Sequence, residues 1–169
     1  MNDFAHESLQ LPPRPRAELK WGTPGAPAAR YGTASDGKRV NPLRVLLVED
    51  SPLIRERLAE SLSTPDRIEI AGQADTEQSA IALMSAAAWD VMVLDLQLKQ
   101  GTGLGVLRAL ASRRPPNTTI IVLTNYAFPQ YRAKSLALGA DFFFDKAREY
   151  HRVREVLDSL ASERTAGAH

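Results

Sequence analysis

The feature that most constrains the fold of this sequence is a regular alternation of short apolar runs with segments of helical periodicity. Five runs that indicate strands lie at 45–48, 68–74, 91–94, 120–123 and 142–144. Between them, apolar residues recur at helical spacing, as at Ile54, Leu58 and Leu62. Runs without a polar face are typical of strands that helices cover on both sides. The alternation therefore predicts an α/β fold in three layers, a doubly wound five-stranded parallel sheet with helices on both faces.

The composition excludes several kinds of functional site. The 169 residues include no cysteine, which excludes disulfides, thiolate catalysis and cysteine-ligated metal centres. The three histidines, His6, His151 and His169, are too widely separated to predict a histidine-based metal site. A net charge of +1 gives no basic field that would attract nucleic acid. Because no apolar run has the length of a signal peptide core or a membrane span, we expect a cytoplasmic protein without a membrane partner. The charge balance neither favours nor excludes nucleic acid, and no direct nucleic-acid partner is expected.

The composition also divides the chain into three parts. Residues 1–42 are rich in proline and glycine and poor in clustered apolar residues, so we expect a disordered N-terminal extension. Residues 43–161 contain all the strand and helix patterns and form the expected domain. Residues 162–169 are predicted to be a flexible tail. Neither flank has the apolar content of a folded effector domain, so a stand-alone domain is expected.

Local signals predict where three of the helices begin or end. Ser51 followed by Pro52 predicts the start of the first helix. The spacing Asp75-x-x-Gln78 resembles a capping box and predicts that Asp75 caps the second helix. Gly139 predicts the end of the fourth helix.

Polar residues follow four of the five predicted strands. They are Glu49, Asp50, Asp95, Thr124 and Lys146. Each alone is ordinary, because an aspartate after a strand usually caps a helix and a lysine there is usually solvated. Parallel strands all end at one edge of the sheet, however, so these side chains are expected to converge. Carboxylates without histidine or cysteine favour a hard cation, Mg²⁺ or Mn²⁺. With a lysine, a hydroxyl and a nucleophilic carboxylate beside it, such a site suits phosphoryl transfer.

Four segments of the sequence resemble the receiver domain of two-component response regulators. They are LVEDSP at 47–52, VLDL at 93–96, VLT at 122–124 and GADFFFDK at 139–146. The resemblance covers about residues 43–161. It implies a flavodoxin-like (βα)5 fold with the strand order 2-1-3-4-5.

The resemblance also implies roles for the residues at the strand ends. Asp95 would accept a phosphoryl group from a phosphohistidine of a sensor histidine kinase or a histidine phosphotransfer protein. Asp95, Asp50 and the main-chain carbonyl of Gln97 would hold Mg²⁺, and Glu49 would act through a bound water. Thr124 and Lys146 would contact the phosphoryl oxygens.

In such a domain, phosphorylation switches a protein-interaction surface. Thr124 would move towards the phosphoryl group, and Phe143 would swing inward. This change would reshape the face formed by the fourth helix, the fifth strand and the fifth helix, where a downstream protein or a second copy of the chain would bind. Phosphorylation would change the relative populations of two conformations of this face.

The sequence departs from the family pattern at four positions. Lys99 and Ala147 stand where many members have proline, and Asn125 stands where a small residue is common. Phe143 supplies the aromatic ring of the switch without a hydroxyl. None of these changes removes an acidic residue of the predicted site.

Two other functions remain open from the sequence. One is a pseudo-receiver, a binding module with the same fold that is never phosphorylated. The other is a phosphohydrolase of the haloacid-dehalogenase type, which needs a second acid two residues after its nucleophile, where this chain has Gln97. The glycines Gly101, Gly103 and Gly105 fail the spacing of a dinucleotide-binding loop and are interpreted as turn glycines. The chain is expected to catalyse its own phosphorylation and dephosphorylation and to have no separate enzyme domain.

Overall fold

The computed structural model describes residues 41–167, and their architecture is the predicted three-layer α/β fold. The strands are β1 (Leu43–Val48), β2 (Ile68–Ala74), β3 (Val91–Leu94), β4 (Thr119–Thr124) and β5 (Phe142–Asp145). The helices are α1 (Pro52–Leu62), α2 (Glu77–Ala86), α3 (Gly103–Leu110), α4 (Pro129–Ala137) and α5 (Tyr150–Ala166). The predicted extension at 1–42 lies outside the described residues, apart from residues 41 and 42.

All strand pairs are parallel, and the strand order is β2-β1-β3-β4-β5, which confirms the order expected from the resemblance. The order reverses at β1, so the loops after β1 and β3 leave the sheet on opposite sides of this point. A crevice at such a reversal is where open α/β sheets bind ligands. The topology therefore places the ends of β1 and β3 at the expected site.

Side chains of alternate strand residues form the core on each face of the sheet. On one face, the helices α1 and α5 contribute Leu58, Leu62, Val153 and Leu157 to a buried cluster with the strands. The central strand β3 is buried along its whole length. This burial explains why its run lacks a polar residue, and it makes the sheet a rigid support for the loops at its ends.

The helix ends follow the sequence signals in part. Pro52 is the first residue of α1, and Gly139, with φ of +102°, follows α4 as predicted. The prediction that Asp75 caps α2 is wrong by one residue, because Thr76 is the cap. The Thr76 hydroxyl accepts from the Ser79 amide at 3.1 Å, and the Ser79 hydroxyl accepts from the Thr76 amide at 3.2 Å. The two hydroxyls thereby satisfy the amides of Ser79 and Thr76 at the start of the helix.

The last helix differs from the flexible tail predicted at 162–169. Helix α5 continues to Ala166, past the expected boundary at 161. The guanidinium of Arg67 donates to the Ser162 hydroxyl at 3.1 Å, and Arg164 forms an ion pair with Asp90 at 2.5 Å. These contacts with the body of the domain stabilise turns that periodicity alone does not predict. Within residues 41–167, no helix is both long and apolar enough to cross a membrane.

The amino edge of the sheet, defined here by Asp90 and Asp141 directly before β3 and β5, carries two paired carboxylates. Asp90 accepts from the amide of Arg44 at 2.7 Å and pairs with Arg164. Asp141 accepts from the amide of Ile120 at 2.7 Å and pairs with Arg114. Each carboxylate thus satisfies a strand amide and an arginine, which is a structural role.

Candidate functional site

The carboxyl edge of the sheet, defined here by the residues that end or follow β1, β3, β4 and β5, brings the predicted polar side chains together. Glu49 and Asp50 follow β1, Asp95 follows β3, Thr124 ends β4 and Lys146 follows β5. Main-chain hydrogen bonds continue the sheet to this point, since the Asp95 amide donates to Val48 O at 3.0 Å and the Lys146 amide to Thr124 O at 2.9 Å. The sheet therefore fixes the backbone at Asp95 and Lys146.

A buried ion cluster joins three of these side chains. The ammonium of Lys146 lies 2.5 Å from Glu49 Oε2 and 2.9 Å from Asp95 Oδ2. Glu49 is 1% exposed and Asp95 is 3% exposed. Because water is largely excluded, the attraction between these charges is stronger than it would be at the surface. The lysine thus holds the Asp95 carboxylate in a fixed orientation.

Burial and neighbouring charges shift the acidity of two groups in this cluster. Burial, reinforced by the negative charge of Asp95, raises the pKa of Glu49 to about 7, although Lys146 opposes the shift. Burial alone would lower the pKa of Lys146, but the carboxylates of Asp95 and Glu49 raise it. The lysine therefore stays charged at neutral pH, while Glu49 exchanges its proton near neutrality when no metal is bound.

The acidic side chains can hold a divalent cation. Glu49, Asp50 and Asp95 each offer a carboxylate oxygen, and these oxygens lie within 4.8 Å of one another. The amide of Gln97 donates to Asp95 Oδ1 at 3.3 Å, so the Gln97 main chain lies beside the same carboxylate. A set of oxygen donors with an excess of negative charge fits Mg²⁺ or Mn²⁺, the cations predicted from the sequence.

The loop between β3 and α3 approaches the site closely because Gly103 has no side chain. A Cβ at this position would collide with the main-chain oxygen of Asp95 and lie 2.8 Å from Leu96 Cα. The Gly103 amide donates to Leu96 O at 2.9 Å. The interpretation of Gly103 and Gly105 as turn glycines is wrong, because both lie in the first turn of α3, and only Gly101 lies in the loop before it. At Gly103, a glycine is needed for the close contact with the backbone of Asp95.

The two predicted switch residues lie at the end of β4 and within β5. Thr124 is fully buried, and its hydroxyl accepts from the Tyr126 amide at 3.1 Å. Phe143 is 2% exposed, and the guanidinium of Arg132 lies over its ring at 4.9 Å. The inward swing expected of Phe143 presupposes an exposed ring, whereas here the ring is already covered. Arg132 in turn lies 3.6 Å from Glu149.

The sequence reasoning did not identify Arg132 or Glu149 as partners of the switch. Arg132 lies on the exposed side of α4, and no helical period predicts its contact with β5. Glu149 accepts from the amide of Asp145 at 3.0 Å and from Arg152 at 2.9 Å. Its pKa is lowered, mainly by the hydrogen bond from the Asp145 amide. These residues link β5 to the starts of α4 and α5.

The positions that depart from the family pattern surround the site without entering the ion cluster. The Lys99 amide donates to Asp75 O at 3.0 Å, and Asn125 is exposed beside Thr124. The Ala147 amide donates to Asp145 Oδ1 at 2.9 Å. These three departures therefore lie in the loops around the cluster, and none of them is one of its three side chains.

Comparisons with known proteins agree with this geometry. The family of the response regulator receiver domain matches residues 45–158. A protein-glutamate methylesterase/protein-glutamine glutaminase 2 of Cereibacter sphaeroides is 42% identical over 97 residues, which are 57% of this chain and 27% of that protein. The DNA-binding transcriptional activator DevR/DosR of Mycobacterium tuberculosis is 31% identical, and the match covers 75% of this chain and 60% of that protein. The chain thus spans only part of the curated relatives that it matches.

Solved structures show the same fold. A response regulator protein from Burkholderia pseudomallei, determined with a phosphorylated aspartic acid, a calcium ion and citrate, is 26% identical with a TM-score of 0.60. The match covers 73% of this chain and 71% of that one. The strand order, the residues gathered at the carboxyl edge and the match over 45–158 together lead to one conclusion. This chain belongs to the response regulator receiver domain family.

Proposed function

We propose that the domain is a phosphorylation-controlled switch in which Asp95 is the phosphoacceptor. The donor is a phosphohistidine of a sensor histidine kinase or a histidine phosphotransfer protein. An oxygen of Asp95 attacks phosphorus, the phosphorus–nitrogen bond breaks, and the imidazole leaves and takes a proton from solvent. The observation that carries the proposal is the buried Asp95 carboxylate, held by Lys146 at 2.9 Å beside two further acids.

The other residues of the carboxyl edge stabilise the negative charge on the oxygens of the transferred phosphoryl group. Lys146 lies close enough to Asp95 to neutralise a phosphoryl oxygen, and the Thr124 hydroxyl is available to donate to another. Asp50, Asp95 and the Gln97 carbonyl, with Glu49 through a water, would hold Mg²⁺. The ion would supply further neutralisation of phosphoryl oxygens. Hydrolysis of the acyl phosphate by water returns Asp95 to its original state, so the site resets itself.

The proposed output is a change at the face formed by α4, β5 and α5. Thr124 moves towards the phosphoryl group, and Phe143 repacks against the changed surroundings, which requires Arg132 to shift from its ring. Leu136 and Phe142 on this face are 43% and 37% exposed. Exposed apolar side chains on a face that changes between two conformations suit a partner that binds only one of them. This partner is either a downstream protein or a second copy of this chain.

Intact-mass spectrometry with acetyl phosphate and Mg²⁺ tests the proposal. The wild-type chain is expected to gain one phosphoryl mass, and Asp95→Asn is expected to gain none. A labelled Asp95→Asn variant would place the acceptor elsewhere. A wild-type chain that stays unlabelled by acetyl phosphate and by a phosphohistidine donor would favour the pseudo-receiver. Steady release of phosphate from ordinary phosphomonoesters would favour the phosphohydrolase.

A further inference from the structure

The β2–α2 turn contributes no predicted site residue, yet it is bonded to the loop that follows Asp95. The Lys99 amide donates to Asp75 O at 3.0 Å, and the Glu77 amide donates to Gln100 O at 3.0 Å. A third hydrogen bond between the two loops involves a side chain: the Thr102 amide donates to Glu77 Oε2 at 2.8 Å. The first residue of α2 therefore holds this loop through both its main chain and its carboxylate.

Two glycines make room for the Glu77 side chain. A Cβ at Gly105 would collide with the Glu77 carboxylate, and all three of its nearest atoms belong to that residue. A Cβ at Gly101, where φ is +74°, would collide with Glu77 Cβ and carboxylate. The outer glycines of the Gly101-x-Gly103-x-Gly105 pattern thus form a seat for one carboxylate. The sequence interpretation as turn glycines did not include this contact.

The seated carboxylate lies at the start of α3. Thr102 is the cap of that helix, and its hydroxyl accepts from the Gly105 amide at 2.9 Å. The Glu77 carboxylate accepts from the Thr102 amide, and a negative charge is favourable at this end of a helix. Glu77 therefore fixes the conformation of Thr102 as well as its position.

The position of Thr102 is coupled to the proposed metal ligand across the loop. Gln97 and Thr102 form an antiparallel bridge, and the Gly103 amide donates to Leu96 O. At its other end, the Gln97 amide donates to Asp95 Oδ1. Two contacts consequently set the direction of the Gln97 carbonyl, the hydrogen bond to Asp95 at the end of β3 and the bridge to Thr102.

We propose that Glu77 is a positioning residue that orients the Gln97 main-chain carbonyl for the divalent cation. The inference rests on the proposed function, because it assumes that the cation binds at the carboxyl edge. Glu77 acts through the loop and through Thr102, as residues around a metal's direct ligands commonly do. Through Glu77, helix α2, which carries no predicted site residue, contributes to the site.

Isothermal titration of Mg²⁺ into folded protein measures the effect directly. Glu77→Ala is expected to weaken Mg²⁺ binding about tenfold. Glu77→Gln keeps an acceptor oxygen without the charge and is expected to lose less. Gln78→Ala, an exposed neighbour in the same turn of α2, is the matched control and is expected to bind as the wild type does.

The glycine seat gives a second, independent variant. Gly105→Ala displaces the Glu77 carboxylate and is expected to weaken Mg²⁺ binding in the same way. In the Glu77→Ala background the three atoms nearest to that methyl group are removed, so the double variant is expected to bind no more weakly than Glu77→Ala alone. Additive losses would overturn the proposed contact between these residues.

Amide hydrogen exchange in metal-free protein provides a readout that does not need the cation. In Glu77→Ala, the Thr102 and Gln97 amides are expected to exchange faster than in Gln78→Ala. A Glu77→Ala protein that is less stable to urea but binds Mg²⁺ as the wild type does would overturn the positioning role. A wild-type chain that fails to bind Mg²⁺ would instead remove the proposed function, and with it this inference.

Discussion

The two edges of the sheet use carboxylates in opposite ways. At the amino edge, Asp90 and Asp141 each accept from a strand amide and pair with an arginine. At the carboxyl edge, Glu49 and Asp95 share the ammonium of Lys146, and Asp50 lies beside them.

The difference between the edges lies in the balance of charge. At the amino edge, each carboxylate is paired with one arginine, so the charges are balanced without a bound ion. An excess of buried negative charge is unfavourable for folding and favours a bound cation. A carboxylate cluster of this kind therefore indicates a binding role more strongly than an aspartate after any one strand does.

The largest loss of stability is expected when the ammonium group of Lys146, which Glu49 and Asp95 share, is removed. Lys146→Met leaves the buried Glu49 and Asp95 facing each other, so the free energy of unfolding without metal is expected to fall by about 3 kcal/mol at mildly alkaline pH. Urea denaturation in chelator measures this loss. Mg²⁺ is expected to restore part of it. Lys134→Met, at an exposed position on α4, is the control, and equal stability of the two variants would contradict the charge argument.

The second contrast is in pH dependence. The pKa of Glu49 is raised from 4.5 to about 7 in the folded, metal-free domain. The folded chain therefore binds more protons than the unfolded chain between these values, and its stability falls as pH rises through this window. Glu49→Gln is expected to remove about 2 kcal/mol of that fall between about pH 5 and 7. Parallel profiles for the variant and the wild type, measured by urea denaturation at several pH values, would exclude this contribution.

At the amino edge, we expect a smaller loss in the free energy of unfolding, and this loss does not depend on Mg²⁺. Asp141→Asn weakens the hydrogen bond to the Ile120 amide and the ion pair with Arg114, at a cost of about 1 to 2 kcal/mol. The increase in melting temperature on adding Mg²⁺ is expected to equal that of the wild type. A reduced response to Mg²⁺ would mean that the two edges are not independent.

The smallest effect has the opposite sign. Asp50→Asn removes one of the clustered negative charges, so the metal-free domain is expected to gain about 1 kcal/mol in stability. The same variant is expected to lose the increase in melting temperature that Mg²⁺ gives the wild type. Thermal denaturation with and without Mg²⁺ measures both. An unchanged response in both buffers would place the cation away from Asp50.

The sequence predicted the sheet well because buried parallel strands leave a strong signal. The run from Val91 to Leu94 has no polar residue, since helices cover both of its faces. The residues at the carboxyl edge were predictable for a related reason, because strand ends are defined by where such runs stop. Asp95 and Lys146 are far apart in the chain, yet topology alone brings them together.

Contacts that depend on side-chain direction were not predictable in this way. Asp75 and Thr76 are both good caps, and only the geometry of the turn selects Thr76. Glu77 and Arg132 look like ordinary charged residues at helix surfaces, and their partners lie in other elements. The end of α5 depends on Arg164 reaching Asp90, a contact that no periodicity along the helix encodes.

The extended α5 has a mechanical consequence. Its 17 residues form a rod about 25 Å long, with its first turn close to Lys146 and its last turn fastened to Asp90 on the far side of the domain. The helix therefore connects the carboxyl edge of the sheet with its amino edge by a route outside the strands.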